Sequence, residues 1–488
     1  MDVELLSRIQ FATTAAFHFL FPPISIGFAL FIVFVEFMWL KTGDEKYKRA
    51  TKFFLKLFGM IFAVGVVTGI IMVFQFGTNW PVYSRFVGDV FGSPLAIEAV
   101  FAFFMESTFL GVALWGWDRI GKKAHFFSTL MVCVGSHLSA IWILIANSFM
   151  QTPAGFVLEY TNPITKVATI LPKGTVPSPE QIAHTRAVIT DFWELCTNPS
   201  VIDRITHTIS ACWLSGAFLA LGICAYFILR NRTDFAKPCA KFALILAFIG
   251  VAAMGFTGHI SAKNLAVNQP EKLAAFEGHY STTQHAPLYL IGYVDEVSQQ
   301  VKGISLGGWL STLAFGSESA EVKGLLDLPS DDFLRKMNPN ATPEEIKKMR
   351  PQYWAPISFS FITFRVMVGL AMVMCAMVAL GFYLWATGKL FDTQSKLVRV
   401  FYFCAIPSVI LPILASQVGW AAAEVGRQPW IVWHILKTSD ACTTSATAGE
   451  IAFSTIAFTL LFIFISAVFL YAFFRKIKNY DESVEKSY

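Results

Sequence analysis

Charge is what this sequence has least of. Only 15% of its residues are Asp, Glu, Lys or Arg, against 55% hydrophobic, whereas a soluble globular chain carries about 25% charged residues. Long stretches hold no ionisable group at all, which sets the 488 residues among polytopic membrane proteins. Paired cysteines are missing too. The eight cysteines (133, 196, 212, 224, 239, 375, 404 and 442) form no CxxC and no CxxCH, which argues against iron–sulfur clusters, zinc knuckles and covalently attached c-type haem. The N-terminus lacks a basic n-region, since acids stand at Asp2 and Glu4. The first apolar run also lacks a small-residue cleavage site, so it is expected to remain as a span. No internal repeat or low-complexity segment is visible. The net charge of +5 calls for no nucleic acid, because basic loops on one side of a membrane supply it.

What is present in excess is apolar sequence, with 48 Phe and 13 Trp suited to lipid contact and interfacial anchoring. About 20 apolar residues cross a bilayer as a helix. Nine runs qualify: 13–40, 53–76, 94–117, 125–148, 205–229, 239–258, 357–386, 397–421 and 450–474. The expected fold is therefore all-α, a polytopic membrane bundle. Alternate connections are basic: Lys41, Lys46, Lys48, Arg49 and Lys52; then Arg119, Lys122 and Lys123; then Arg230, Arg232 and Lys237; then Lys389 and Lys396; and finally Arg475, Lys476 and Lys478. The excess of Lys and Arg in cytoplasmic loops then places the N-terminus outside and the C-terminus in the cytoplasm. Three regions follow: 1–258 with six spans, a long extracytoplasmic loop over 259–356, and 357–488 with three more spans. Within the loop, Pro343 to Met349 reads as a helix behind an N-cap at Thr342.

Ionisable groups inside spans are costly and mark function by default. His18 lies near the outer end of the first span, Glu98 and Glu106 in the third, His207 at the start of the fifth, Arg365 in the seventh with Met367, and Glu424 and Arg427 just past the eighth. The topology puts all of them in the outer half of the membrane. On a regular α-helix, Glu98 and Glu106 project within about 80° of one another and about 12 Å apart along the axis, which reads as a proton path. A His and a Met on different helices can ligate one haem iron; His207 with Met367 fits, and Arg365 could meet a haem propionate. His125, His137 and His434 read as structural histidines.

The segments FHFLFPPISIG, FQFGTNWPVYS, GDVFGSPLAIEAVFAFFMESTFLG, GWDRIGK, SAIWILIANSFMQTP, RITHT, FRVMVG and GWAAAEVGRQPW resemble cytochrome bd-type quinol oxidase subunit I, in order and through almost the whole chain. The resemblance implies three haems: a low-spin haem b held by His207 and Met367, and two high-spin haems, one b and one d or a third b, held by His18 and Glu424. Which of those two holds the oxygen-binding haem stays open. It further implies that Glu98 lies beside the oxygen-reducing haem and Glu106 in the proton path. Arg365 and Arg427 would steady propionates, and Trp420 would stand between haems. Lys272 and Glu277 match a quinol-interacting pair, in which Glu277 would accept a hydroxyl proton while Lys272 steadies the departing charge.

The resemblance thus implies a membrane enzyme that oxidises quinol and reduces dioxygen to water, raising a membrane potential without pumping protons. It would sit in a bacterial cytoplasmic membrane with a second transmembrane subunit and possibly a small accessory one. The loop lacks the insertion of the family's long-loop branch. Val73, before FQFGTNW, and His137 also depart from common family residues. Two rivals are weighed. A b-type cytochrome without oxygen chemistry would pair histidines on one helix, and a haem-free transporter would have broken helices and internal repeats; neither pattern is seen.

Overall fold

The computed structural model describes residues 2–443 and 445–480. Among these residues nine helices are long and apolar enough to cross a membrane: Val3–Thr42, Glu45–Thr78, Gly88–Trp115, Lys122–Gln151, Phe192–Arg230, Ala236–Asn268, Ile357–Ala386, Pro407–Val425 and Ala448–Lys478. The expected helical membrane architecture is what the chain adopts, with longer helices than the apolar runs alone suggest. The first span starts ten residues early, at Val3 rather than 13. The sixth runs on to Asn268, past the expected end at 258. The run at 397–421 proves to be two pieces, a helix Lys396–Ala405 and then the span from Pro407, because Pro407 lacks the N–H that would carry the first helix on.

The basic connections lie together. Arg49 Nη2 meets Asp234 Oδ2 at 2.6 Å, Arg232 donates to the Lys478 carbonyl at 2.6 Å, and Lys52 sits over the Trp117 ring. This side of the bundle is called the basic face and the other the loop face. Toward the basic face an aromatic core of Phe28, Phe31, Phe53, Phe54 and Phe227 packs with almost no access to solvent. The fifth span is its axis, with 83% of its most apolar window buried, against 11% for the ninth. Spans one and five touch at Gly27 and Gly216. A Cβ on Gly27 would stand 1.9 Å from the Cys212 carbonyl oxygen, and one on Gly216 would meet the backbone of Gly27 at 2.0 Å. Small residues at such crossings let membrane helices approach backbone to backbone.

The loop face carries the irregular structure. Between spans four and five lies a three-stranded antiparallel sheet, in which β1 (Phe156–Thr161) pairs on one side with β2 (Ala168–Ile170) and on the other with β3 (Thr185–Ile189). After span six comes a short helix, Pro270–Glu277, then a hairpin of β4 (Leu288–Asp295) and β5 (Gln300–Leu306). The expected helix Pro343–Met349 is present, with Thr342 and Glu345 in a capping box. A last hairpin, β6 (Trp430–Val432) with β7 (Leu436–Lys437), follows span eight.

Candidate functional site

Five described histidines lie in spans; His259 of the sixth is half-buried, and the ring nitrogens of the other four divide them into two pairs. His125 contacts Glu36 Oε1 through Nδ1 at 2.6 Å and the Ala113 carbonyl through Nε2 at 3.0 Å. His137 contacts the Cys133 carbonyl through Nδ1 at 2.7 Å, and its Nε2 accepts from Trp213 Nε1 at 3.0 Å. Both rings are fully engaged by protein, as their structural reading requires.

His18 and His207 are held differently. His18 Nδ1 lies 2.9 Å from Thr68 Oγ1, and His207 Nδ1 lies 3.1 Å from Thr257 Oγ1. Each threonine hydroxyl already donates within its own helix, Thr68 to Val64 at 2.9 Å and Thr257 to Ala253 at 2.8 Å. The threonine oxygens can therefore only accept, so Nδ1 carries the proton in both rings. Nε2 is left with its lone pair, and no described residue takes it. This is the tautomer a metal-ligating histidine needs, fixed from behind as such ligands are. The two pairs also share a level: Thr68 stands ten residues before Thr78, and Thr257 eleven before Asn268.

His18 sits at a break. Pro22 and Pro23 withhold the N–H groups that His18 and Phe19 carbonyls would accept, and the span divides into Val3–His18 and Phe21–Thr42. Gln417 of span eight donates to the Ala16 carbonyl at 2.8 Å. Three residues on, Trp420 places its ring 6.5 Å from that of Phe19. Gly419 gives Met367 room to lie across span eight, because a Cβ there would stand 2.7 Å from the Met367 sulfur.

The other named residues gather at the loop face. Glu424 is engaged on both oxygens: Oε2 by Arg427 Nη2 at 2.5 Å and Oε1 by Asn147 Nδ2 at 3.1 Å. Arg204 donates to Asn147 as well. Lys272 and Glu277 are both buried, at 3% exposure each, but they do not form a pair. Five residues apart on one helix, they point about 140° away from each other. Lys272 Nζ donates to Gln151 Oε1 at 2.9 Å, while Glu277 Oε2 accepts from Arg365 Nη2 at 2.5 Å. Burial pushes the Glu277 carboxyl above the usual range, against the pull of Arg365. Burial, helped by Arg204, drives the Lys272 ammonium well below the lysine range. Arg365 is thus committed first to Glu277 and to the Phe276 carbonyl, at 2.5 Å.

Four guanidinium nitrogens here, Arg204 Nε, Arg365 Nε and Arg427 Nε and Nη1, are buried without a partner among the described residues. Such donors await an acceptor, and carboxylates on a bound cofactor suit them. Nor do three His, Cys, Asp or Glu side chains converge on a bare ion among the described residues. Single open histidines fit iron whose other positions a haem macrocycle fills. The donor set therefore fits haem.

The third span departs from expectation in two ways. Glu98–Phe103 is π-helical, which amounts to one residue inserted into the α-helix. The insertion turns Glu98 and Glu106 from about 80° apart to about 20°, in line along one face. Glu106 was expected at the depth of the other named residues, but it falls in the basic-face half of its span. It lies nine residues before Trp115 at the basic end of its helix and packs against Gly135. Glu98 accepts from Ser139 at 2.6 Å, so the two carboxyls are stacked in depth rather than level.

Arg204, Asn147, Thr68 and Thr257 are absent from the sequence reading. Arg204, a cation three residues before His207 inside an apolar run, carried a signal. The threonines carried none, since nothing local links residues 50 apart.

Fold and donor set define a class, a polytopic helical membrane protein built to hold redox cofactors. Comparison with known proteins narrows it. Residues 6–481 match the family model for cytochrome bd terminal oxidase subunit I. The chain is 36% identical to cytochrome bd ubiquinol oxidase subunit 1 of Bacillus subtilis (strain 168), over 98% of this chain and 94% of that one. It is 33% identical to cytochrome bd-II ubiquinol oxidase subunit 1 of Escherichia coli (strain K12), over 93% and 92%. The solved bd oxidase of Geobacillus thermodenitrificans superposes with a TM-score of 0.79 at 29% identity, covering 98% of both chains. The chain belongs to the cytochrome bd terminal oxidase subunit I family. That sets aside the transporter and the electron-ferrying b-type cytochrome.

Proposed function

We propose that this chain oxidises quinol at the Pro270–Glu277 helix and passes the electrons to dioxygen, forming water and a membrane potential without pumping protons. One observation supports the ligand assignment: His18 and His207 each keep Nε2 open behind a threonine that fixes the ring, a backing that the other described span histidines, His125, His137 and His259, do not have. In this reading His207 and Met367 hold a low-spin haem b, while His18 and Glu424 hold the two high-spin haems, the second of them d or b. Glu424 keeps a lone pair on each oxygen beside its bonds to Arg427 and Asn147 and can serve as a ligand while they hold it in place. Arg204, Arg365 and Arg427 offer their open N–H groups to propionates. When bound, the haems supply one-electron carriage and the chemistry of dioxygen.

The chain's own residues manage charge. Glu277, with its raised carboxyl, takes a hydroxyl proton nearer neutral pH than an ordinary glutamate would. Lys272, sealed against Gln151, meets the charge that this leaves. Glu106 and Glu98, aligned by the π turn, pass protons inward from the basic face. The basic loops support a bacterial cytoplasmic membrane with that face in the cytoplasm. The relatives' names, as first subunits, support a second transmembrane subunit, and a small accessory one belongs to the same reading.

The test is the reduced-minus-oxidised spectrum of purified His207→Ala and His18→Ala oxidase. Each is expected to lose one distinct haem signal and keep the others. Retention of the low-spin bands in His207→Ala would refute the assignment.

A further inference from the structure

Glu277 and Lys272 are sealed, so neither offers quinol protons a way to water. The same short helix carries a residue that does. Glu271 is buried at 9% exposure and its Oε2 has no partner among the described residues. Its Oε1 faces His434 Nε2 at 3.5 Å, and the His434 side chain keeps 29% of its surface exposed. His434 was read from the sequence as structural, and it is clamped as such a residue would be, between Phe333 at 4.2 Å and Trp433 at 4.7 Å. The clamp holds one ring edge against a buried carboxylate while leaving part of the ring to solvent. Imidazole between a buried acid and water can accept a proton on one nitrogen and release one from the other.

We propose that Glu271 and His434 form the proton exit of the quinol site, an inference that rests on quinol oxidation at this helix. As quinol becomes quinone it loses two hydroxyl protons and two electrons, and the electrons end on dioxygen. A hydroxyl proton moves to the Glu271 carboxylate, which fills the vacancy at Oε2. Rotation of the carboxyl swings the proton round to the side facing His434, where Nε2 takes it, and the ring releases a proton from Nδ1 to outer water. The carboxylate is restored at once, and exchange of the remaining ring proton from Nε2 to Nδ1 through water readies the imidazole for the second hydroxyl proton.

The experiment uses the oxidase assembled with its partner subunit. It compares turnover on a soluble quinol with turnover on tetramethyl-p-phenylenediamine, a one-electron donor that releases no proton. Variants are Glu271→Gln, His434→Phe (which keeps the ring stack), His434→Gln and, as reference, Glu277→Gln. The quinol-to-diamine rate ratio is expected to fall about tenfold to a hundredfold in the Glu271 and His434 variants, less than a full general base contributes because water offers a bypass. Added imidazole should restore part of the His434 loss. A ratio within twofold of the parent in His434→Phe would reduce His434 to a packing ring and overturn the exit. A parallel fall with both donors would overturn it equally. An unchanged ratio in Glu277→Gln would instead bring down the quinol reading beneath it.

Discussion

The histidines of the basic half and those of the loop half share a residue type and a membrane, yet their surroundings are opposite. His125 meets Glu36 and the Ala113 carbonyl inside a shell of Trp39 and Trp117 rings. Every nitrogen has a partner and every face is packed. His207 has one partner, Thr257, beside Arg204, whose Nε has none. Burial alone would rank the first site as the more unusual, since Glu36 and His125 are 0% and 1% exposed. The hydrogen bonding of the ring itself ranks them the other way, although Glu36 Oε2 and Trp39 Nε1 beside His125 are also buried without a partner among the described residues. A ring bonded on both nitrogens serves the fold, whereas one bonded on a single nitrogen keeps a lone pair that can take a ligand.

The comparison can be broken most sharply at the closed site. His125→Ala leaves Glu36 buried and unpaired, which is expected to cost about 3–5 kcal/mol. Thermal unfolding in detergent should show that loss, with all haem signals falling together with folded yield. A normal melting temperature with one haem missing would erase the distinction. At the open sites, Thr257→Val and Thr68→Val keep shape but remove the acceptor that fixes each ring. Haem retention on dilution or competition with an apo-haem acceptor should weaken about 10–100-fold, each variant affecting its own haem. The smallest effect belongs to Trp213→Phe, which frees His137 Nε2. The expected cost is about 1 kcal/mol in stability, with an unchanged absorption spectrum.

Much of this was legible in advance because the bilayer imposes simple rules. Span number followed from apolar length, and His18, His207, Glu98 and Glu424 stood out as polar residues inside those lengths. Family resemblance then supplied roles that spacing could not. The misreadings have physical causes. Helices run beyond the apolar runs because α-structure continues into the interface, where charged residues are welcome, so Asn268 rather than 258 ends the sixth span. The π turn at Glu98 is invisible to any reading that assumes 3.6 residues per turn, and it changed the phase of the two acids. Lys272 and Glu277 read as a pair because they are close in sequence, but their partners, Gln151 and Arg365, come from two other spans. Thr68 and Thr257 resemble any other membrane threonine until the neighbouring helix is known.

The fifth span joins the two halves, since its basic-face length is locked at Gly216 against Gly27 while its loop-face end bears Arg204 and His207. A ring mounted on so rigid a mast, and tethered by Thr257, has little freedom to shift when the charge beside it changes. Electron transfer is slowed by every ångström that ligands and dipoles must travel between oxidation states, and a preorganised setting removes that travel. On the proposed ligand assignment, the glycine crossing would reach the loop face as a lower reorganisation energy at a haem it never touches.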